Sequence, residues 1–205
     1  MTKNFIIVLI IFVSSCSTNQ SRVSLDLGYI TIFREALLDQ NSKIDPTFES
    51  NIKYSYIKIS QGRNQAIFIL RSSNNGLNTW IGPNLEKIIT YQGLILKTLG
   101  LDQDFEFTPD SIEVATLNHL KSDFLVTGSL TNPLLPSTKI RFNYIHSSSS
   151  KKCKKLILYQ RSIVSLNSQF KESYCLNESG DIISSTQRLS PLGDELKIDF
   201  NYRYK

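Results

Sequence analysis

The sequence predicts a mainly β protein, in which an antiparallel sheet folds into a barrel-like or sandwich structure after a short N-terminal α-helix. Short apolar segments recur along most of the chain and are separated by polar turns rich in Gly, Asn and Ser. Several of these segments alternate apolar and polar residues, which is the period of a half-buried strand. Long helical segments do not alternate with the strands, which argues against a parallel βαβ sheet.

The first fifteen residues predict a secretory signal peptide. Lys3 supplies a positive charge, and nine apolar residues run from Phe5 to Val13 before Ser14 and Ser15. That run is much shorter than the roughly 20 residues that a membrane-spanning helix needs, and the order of charge, apolar run and small residues is typical of a cleaved leader. A buried strand or short helix is the alternative, but nothing amphipathic surrounds the run.

The segment "VSSC", which ends at Cys16, resembles the bacterial lipobox. The resemblance implies lipidation of Cys16, with acyl chains on its sulfur and its amine as the covalent lipid. Two or more chains make membrane attachment stable. By similarity to proteobacterial sorting, Ser17 in place of Asp favours the outer membrane. We therefore expect residues 16–27 to form a lipidated flexible tether and residues 28–205 to form a single β-rich domain.

Lipidation of Cys16 would leave Cys153 and Cys175 as the remaining cysteines. Two thiols in an oxidising compartment are expected to pair. Such a bridge would contribute about 3 kcal/mol in the chain-entropy model. Two buried free thiols on separate strands are the alternative.

The elements follow in order along the chain. Ile30, Phe33 and Leu37 have helical spacing and predict an amphipathic helix over residues 28–41, which Asp45 and Pro46 end. A second short helix is predicted over residues 111–121. The predicted strands cover residues 53–60, 65–72, 79–82, 87–92, 94–100, 124–130, 139–146, 155–166, 169–176 and 181–189. The segment "DQDFEFTPDS" is predicted to interrupt them.

A search for catalytic or metal-binding patterns nominates no residue. The two histidines, His119 and His146, are not at metal-ligand spacing, and a lone His in a β protein is usually a core or surface residue. Asp102, Asp104 and Glu106 lack the Gly and the later Glu of a calcium loop. Paired carboxylates for glycoside cleavage depend on a separation in space that a sequence does not give. We predict no cofactor and no metal.

One basic segment is a candidate contact for an anionic glycan or for lipid headgroups. The segment "HSSSSKKCKKL" combines four serines with Lys151, Lys152, Lys154 and Lys155. It is either a solvated loop tip or an electrostatic contact. The net charge of +5 suits an anionic partner but does not select one.

The aromatic residues raise the question of core or ligand platform. Most of the later ones are expected to pack in the core or across strands, and some could stack on sugar; they are Tyr144, Tyr159, Phe170, Tyr174, Phe200, Tyr202 and Tyr204. Trp80 is expected to be a core anchor.

The pattern of motifs resembles the YjbF/GfcB family of capsule and exopolysaccharide lipoproteins. After the lipobox, a Trp strand is followed by a Gly and a Thr-x-Gly-Leu segment; here these are Trp80, Gly93, Thr98, Gly100 and Leu101. Near the C-terminus, the family's aromatic strand, Gly turn, Ser-x-x-Gln and closing Pro correspond to Tyr174, Gly180, Ser184 or Ser185, Gln187 and Pro191. Two departures are Leu94, where the family often has Arg, and Cys175, where a Trp is common.

The resemblance implies an outer-membrane lipoprotein on the periplasmic face that acts without catalysis in assembly or export of a polysaccharide. It implies a periplasmic partner protein, an outer-membrane β-barrel partner and a β fold of barrel-like form, with direct contact to polysaccharide left open and no nucleic-acid partner. A glycan-binding module and an envelope enzyme that modifies the polysaccharide are the alternatives.

Overall fold

The computed structural model describes residues 46–101, 103–131, 134–149 and 152–203, which form a closed antiparallel β-barrel. The predicted signal peptide, Cys16, the tether and the helix over residues 28–41 lie outside the described residues. Two α-helices are described, α1 (Pro46–Asn51) and α2 (Pro109–Asn118). The strands are β1 (Tyr56–Gln61), β2 (Asn64–Asn74), β3 (Leu77–Ile81), β4 (Lys87–Tyr91), β5 (Leu94–Leu99), β6 (Phe105–Phe107), β7 (Phe124–Leu130), β8 (Leu135–Ser148), β9 (Lys155–Ile163), β10 (Ser168–Leu176), β11 (Ile182–Gln187) and β12 (Leu196–Asn201).

Each strand pairs with its neighbour in sequence, and β12 pairs with β1 to close the barrel. The mainly β prediction is confirmed, and of the two predicted architectures the barrel is the one observed. Closure leaves no unpaired sheet edge. Bulges interrupt the ladders between β2 and β3 and between β4 and β5, which is how a strand bends to follow the barrel wall.

The strand prediction was wrong at two places. Phe105–Phe107 forms β6 inside the segment predicted to interrupt the strands. Phe105 and Phe107 are buried, and the acidic residues beside them, Asp104 and Glu106, point to partly exposed positions. The second omission is β12, for which no strand was predicted, although Leu196 and Ile198 alternate with exposed polar residues.

Buried side chains from all parts of the wall fill the barrel interior, including Trp80, which is fully buried. The Trp80 ring meets the Phe200 ring edge to face with 6.1 Å between centroids, and its Nε1 donates a 2.9 Å hydrogen bond to Thr90 Oγ1. Trp80 thus occupies the position expected of a core anchor, with its polar atom satisfied. A small separate cluster of Ile52, Tyr56 and Ile67 lies outside this core.

Antiparallel topology places alternate connections at the same end of the barrel. We call the end that carries the β1–β2, β3–β4, β5–β6 and β11–β12 connections the cleft end. The opposite end carries α2 and the β4–β5, β8–β9 and β10–β11 connections, and we call it the helix end. Among the described residues, no helix is long and apolar enough to cross a membrane.

Candidate functional site

Two adjoining cavities at the cleft end form the candidate site. Their volumes are about 230 and about 270 Å³, and both are lined by Gln61, Glu86, Leu101 and Leu196. We call them together the mouth cleft. Its lining combines an apolar floor with residues of the β3–β4, β5–β6 and β11–β12 connections and of the adjoining ends of β1 and β2, which is the usual composition of a ligand site.

The polar lining is made of carboxamides and carboxylates. Asn64, Gln65 and Asn84 line the first cavity, and Gln103 and Asp194 line the second. Within the described residues, the side-chain amides of Gln61 and Gln103 make no hydrogen bond to another protein group. These groups are therefore available to a ligand.

The β5–β6 wall of the mouth cleft is built by the Thr-x-Gly-Leu segment. The backbone N–H groups of Gly100 and Leu101 donate hydrogen bonds of 2.9 and 3.1 Å to the Asp104 carboxylate. Gly100 has φ +83°, in the left-handed region that favours glycine. Thr98 Oγ1 accepts a 2.9 Å hydrogen bond from the Phe105 N–H. This motif therefore shapes one wall, and Gly100 and Leu101 themselves line the second cavity.

The β3–β4 wall holds Glu86 in place. Its carboxylate accepts hydrogen bonds of 2.8 Å from the Asn84 backbone N–H and 2.9 Å from Asn84 Nδ2. A Cβ at Gly82 would lie 2.6 Å from the Phe68 ring and 2.7 Å from Glu86 Oε2, so only glycine fits there. The carboxylate is thus fixed by its own turn, facing the first cavity.

The predicted basic cluster lies at the opposite end of the barrel. Lys152 and Lys154 are exposed in the β8–β9 connection at the helix end, Lys155 is exposed at the start of β9, and Lys151 lies outside the described residues. The predicted disulfide between Cys153 and Cys175 is present and ties this connection to β10. Lys154 N–H donates a 2.9 Å hydrogen bond to the Leu176 carbonyl. The structure therefore does not bring the lysines to the mouth cleft.

Two other family-motif residues meet across the barrel. Gln187 on β11 donates from Nε2 to the Gly93 carbonyl at 2.6 Å and accepts from the Ile95 N–H at 3.0 Å. Gly93 has φ +78°, and a Cβ there would lie 2.6 Å from Ile182 Cγ2. Because β11 and β5 are not neighbours in the sheet, this contact braces opposite walls. Gly180, with φ +83°, serves the β10–β11 turn.

A buried chain of polar groups runs through the barrel interior from the helix end towards the cleft end. The Arg161 guanidinium pairs with Glu172 at 3.1 Å, and both side chains are fully buried. Tyr174 donates a 2.9 Å hydrogen bond to the other Glu172 oxygen. Burial, followed by the Glu172 charge, raises the pKa of Tyr174 well above its ordinary value. The guanidinium also lies over the rings of Phe105 and Phe142.

His119, directly after α2, completes this chain. Its ring meets the Tyr174 ring edge to face at 4.7 Å, and its Nε2–H donates to the Gln92 carbonyl at 3.1 Å. Burial lowers the pKa of His119 to about 3, against the raising effect of that hydrogen bond. The residue is therefore neutral at physiological pH and is a core histidine, whereas His146 is exposed. Within the described residues, no group of three His, Cys, Asp or Glu side chains is arranged to hold a metal.

The mouth-cleft side chains were missed by the sequence analysis. Gln61, Glu86, Gln103 and Asp194 lie far apart along the chain and carry no motif. Only the strand topology brings them together, because each lies at or just after the end of a strand at the same rim.

Two comparisons with known proteins bear on the molecule. A family model described as group 4 capsule polysaccharide lipoprotein, YjbF, matches residues 48–149, about half of the chain. The solved structure of the hypothetical lipoprotein YmcC from Escherichia coli (K12) is similar with a TM-score of 0.61 and 14% identity, over 86% of this chain and 96% of that one. At this identity the similarity shows a shared fold. No curated protein matches the chain.

Proposed function

Because the chain belongs to the YjbF family of group 4 capsule polysaccharide lipoproteins, we propose that it acts without catalysis in the assembly or export of a capsular or extracellular polysaccharide. The family match over residues 48–149 is the observation that carries this proposal. The resemblance to this family is confirmed by the match, and Trp80, Gly93 and the Thr-x-Gly-Leu segment lie within the matched residues.

We further propose that lipid on Cys16 anchors the protein to the periplasmic face of the outer membrane. The "VSSC" segment and Ser17 support this location. Export would then proceed beside a periplasmic protein and an outer-membrane β-barrel. The anchored protein would hold its barrel near the membrane through the predicted tether of residues 16–27.

The arrangement of the family-motif residues supports a scaffold role. Gly93 and Gln187 brace opposite walls, Trp80 fills the core, and Gly100 and Leu101 shape one rim. These residues therefore hold a rigid barrel whose rim loops are presented to the surroundings. Such a body suits a protein that positions other molecules.

An envelope enzyme is the second candidate, because Glu86 and Asp194 line the same cavity. Paired carboxylates are the groups used in glycoside hydrolysis. Asn84 donates a hydrogen bond to each Glu86 carboxylate oxygen, so this carboxylate already serves as a fixed acceptor within its own turn.

Deletion of the gene tests the proposed function. We expect the amount or chain length of surface polysaccharide to fall and to recover when the gene is restored. Unchanged polysaccharide in both respects would contradict the proposal. Restoration with Cys16→Ser tests the anchor separately: a variant that still fractionates with outer membranes would show that lipidation at Cys16 is not what places the protein there.

A further inference from the structure

The charge of the mouth cleft is opposite in sign to the net charge of the chain. Among the described residues that line the two cavities, the formally charged side chains are the carboxylates of Glu86 and Asp194, and none is basic. The whole chain carries a net charge of +5. The cleft is therefore a local acidic and amide-rich site on a basic protein, and it disfavours anionic ligands through like-charge repulsion.

The lining chemistry matches a polyhydroxyl ligand. A carboxamide offers both donors and an acceptor, and a carboxylate offers acceptors only. A sugar hydroxyl is one donor with two acceptor lone pairs, so it can bond either group. Leu101 and Leu196 provide an apolar floor, against which the C–H face of a sugar ring can pack while its hydroxyls meet Gln61 and Gln103.

The walls are fixed before a ligand arrives. Asn84 holds the Glu86 carboxylate, and Asp104 holds the β5–β6 turn. The Gln103 side chain packs so closely against Gly193 that a Cβ at residue 193 would overlap its Oε1. A preformed site loses less conformational entropy when it binds.

Two exposed leucines lie in the connections of the same rim. Leu85 has φ +68° and is 65% exposed in the connection that carries Glu86. Leu192 is 68% exposed in the connection that carries Asp194. Two large apolar side chains are therefore exposed beside the cleft.

We propose that the mouth cleft binds an uncharged segment of the polysaccharide, with Gln61 and Gln103 as hydrogen-bonding residues and Leu101 and Leu196 as the packing floor. This inference rests on the proposed function and adds a site and a ligand class to it. It also assigns sugar binding to the cleft end, away from Lys152, Lys154 and Lys155. Acidic sugars are rejected by Glu86 and Asp194.

The test uses the full-length mature protein in detergent and the extracellular polysaccharide of the strain that carries the gene, cut into short fragments and separated into uncharged and acidic pools. We expect the uncharged pool to bind and to shift the NMR signals of the Gly100, Leu101 and Gly193 amides. Gln61→Ala combined with Gln103→Ala should weaken binding about tenfold or more, since it removes two hydrogen bonds worth about 1 kcal/mol each.

A matched control comes from another pair of glutamines. Gln160 and Gln169 bond to each other at 2.7 Å on neighbouring strands, at an exposed site, and replacing both with Ala should leave binding unchanged. Joint replacement of Lys152, Lys154 and Lys155 with Ala should also leave it unchanged. The proposal is overturned if the uncharged pool does not bind, if the acidic pool binds more tightly, or if the lysine variant loses binding instead.

The same variants separate this inference from the proposed function. If deletion of the gene reduces surface polysaccharide while the Gln61→Ala, Gln103→Ala chain restores it fully, the cleft proposal is wrong and the function stands. If deletion has no effect, the proposed function is wrong whatever the fragments do.

Discussion

The barrel interior and the cleft end use polar residues in opposite ways. In the interior they are buried and bonded to each other: Arg161 to Glu172, Glu172 to Tyr174, and His119 against the Tyr174 ring. At the cleft end Gln61 and Asp194 face open space, and Glu86 is fixed by a turn beside it.

This difference separates stability from function. Buried polar groups need partners and impose one packing arrangement, so changes there should unfold the protein. Exposed groups around a cleft contribute little to folding, so changes there should alter binding alone. The unusual pKa values in the interior therefore mark structure, although such shifts often mark active sites elsewhere.

The largest effect is expected at the buried ion pair. Glu172→Leu leaves the Arg161 charge without its partner and removes the acceptor of Tyr174. We expect the free energy of unfolding to fall by about 3–5 kcal/mol, measured by chemical denaturation. Addition of Arg161→Met should restore part of the loss, because the guanidinium site between Phe105 and Phe142 is apolar. A double variant less stable than Glu172→Leu would show that the arginine is stabilising without its partner.

The disulfide should have the next largest effect. Cys153 and Cys175 close a separation of 22 residues, which corresponds to about 3 kcal/mol in the chain-entropy model. Cys153→Ser with Cys175→Ser should lower stability by that amount and leave the NMR signals of the Gly100 and Leu101 amides in place. Changes in those signals would show that the two ends are coupled and would break the comparison.

A smaller effect follows from the burial of His119. Its pKa is about 3 in the folded protein, against about 6.5 when unfolded. Between these values the unfolded chain binds more protons, so stability falls as pH falls from 6.5 towards 3. The contribution lost by pH 5 is about 2 kcal/mol.

Chemical denaturation at pH 7 and at pH 5 measures the contribution of His119 to the free energy of unfolding. His119→Gln should reduce the difference between the two pH values, whereas His146→Gln, at an exposed position, should retain it. If the free energy of unfolding falls equally between pH 7 and pH 5 in wild type and in His119→Gln, another group is responsible for the pH dependence.

The fold was predictable where a pattern was local. Apolar segments such as Lys155–Ile163 predicted strands. The two cysteines that remain after lipidation of Cys16 predicted the disulfide. The C-terminal strand was missed although Leu196, Ile198 and Phe200 repeat every second residue. β6 was missed because the polar residues and Pro109 around Phe105–Phe107 predict a break between strands.

The site was not predictable because it depends on closure of the barrel. The family pattern marked Gly93 and Gln187, but their contact joins strands that are not neighbours in the sheet. Gln61 and Gln103 became neighbours of one cleft only because their strands end at the same rim. Sequence alternation indicates which face of a strand is buried, but it does not indicate which loops share a cavity.

The smallest effect on stability is expected at the cleft carboxylates, where the enzyme alternative can be decided. Glu86→Gln keeps the shape of the side chain and one acceptor for Asn84, and Asp194→Asn changes an exposed residue. Each should lower the free energy of unfolding by less than about 1 kcal/mol.

If the cleft binds without catalysis, each variant should also restore surface polysaccharide in the deletion strain, because an amide still bonds to sugar hydroxyls. A catalytic carboxylate behaves differently, since loss of its proton transfer removes a factor of about 10²–10⁴ in rate. A folded Glu86→Gln protein that gives no surface polysaccharide would therefore favour the enzyme, and normal polysaccharide from both variants would favour the scaffold.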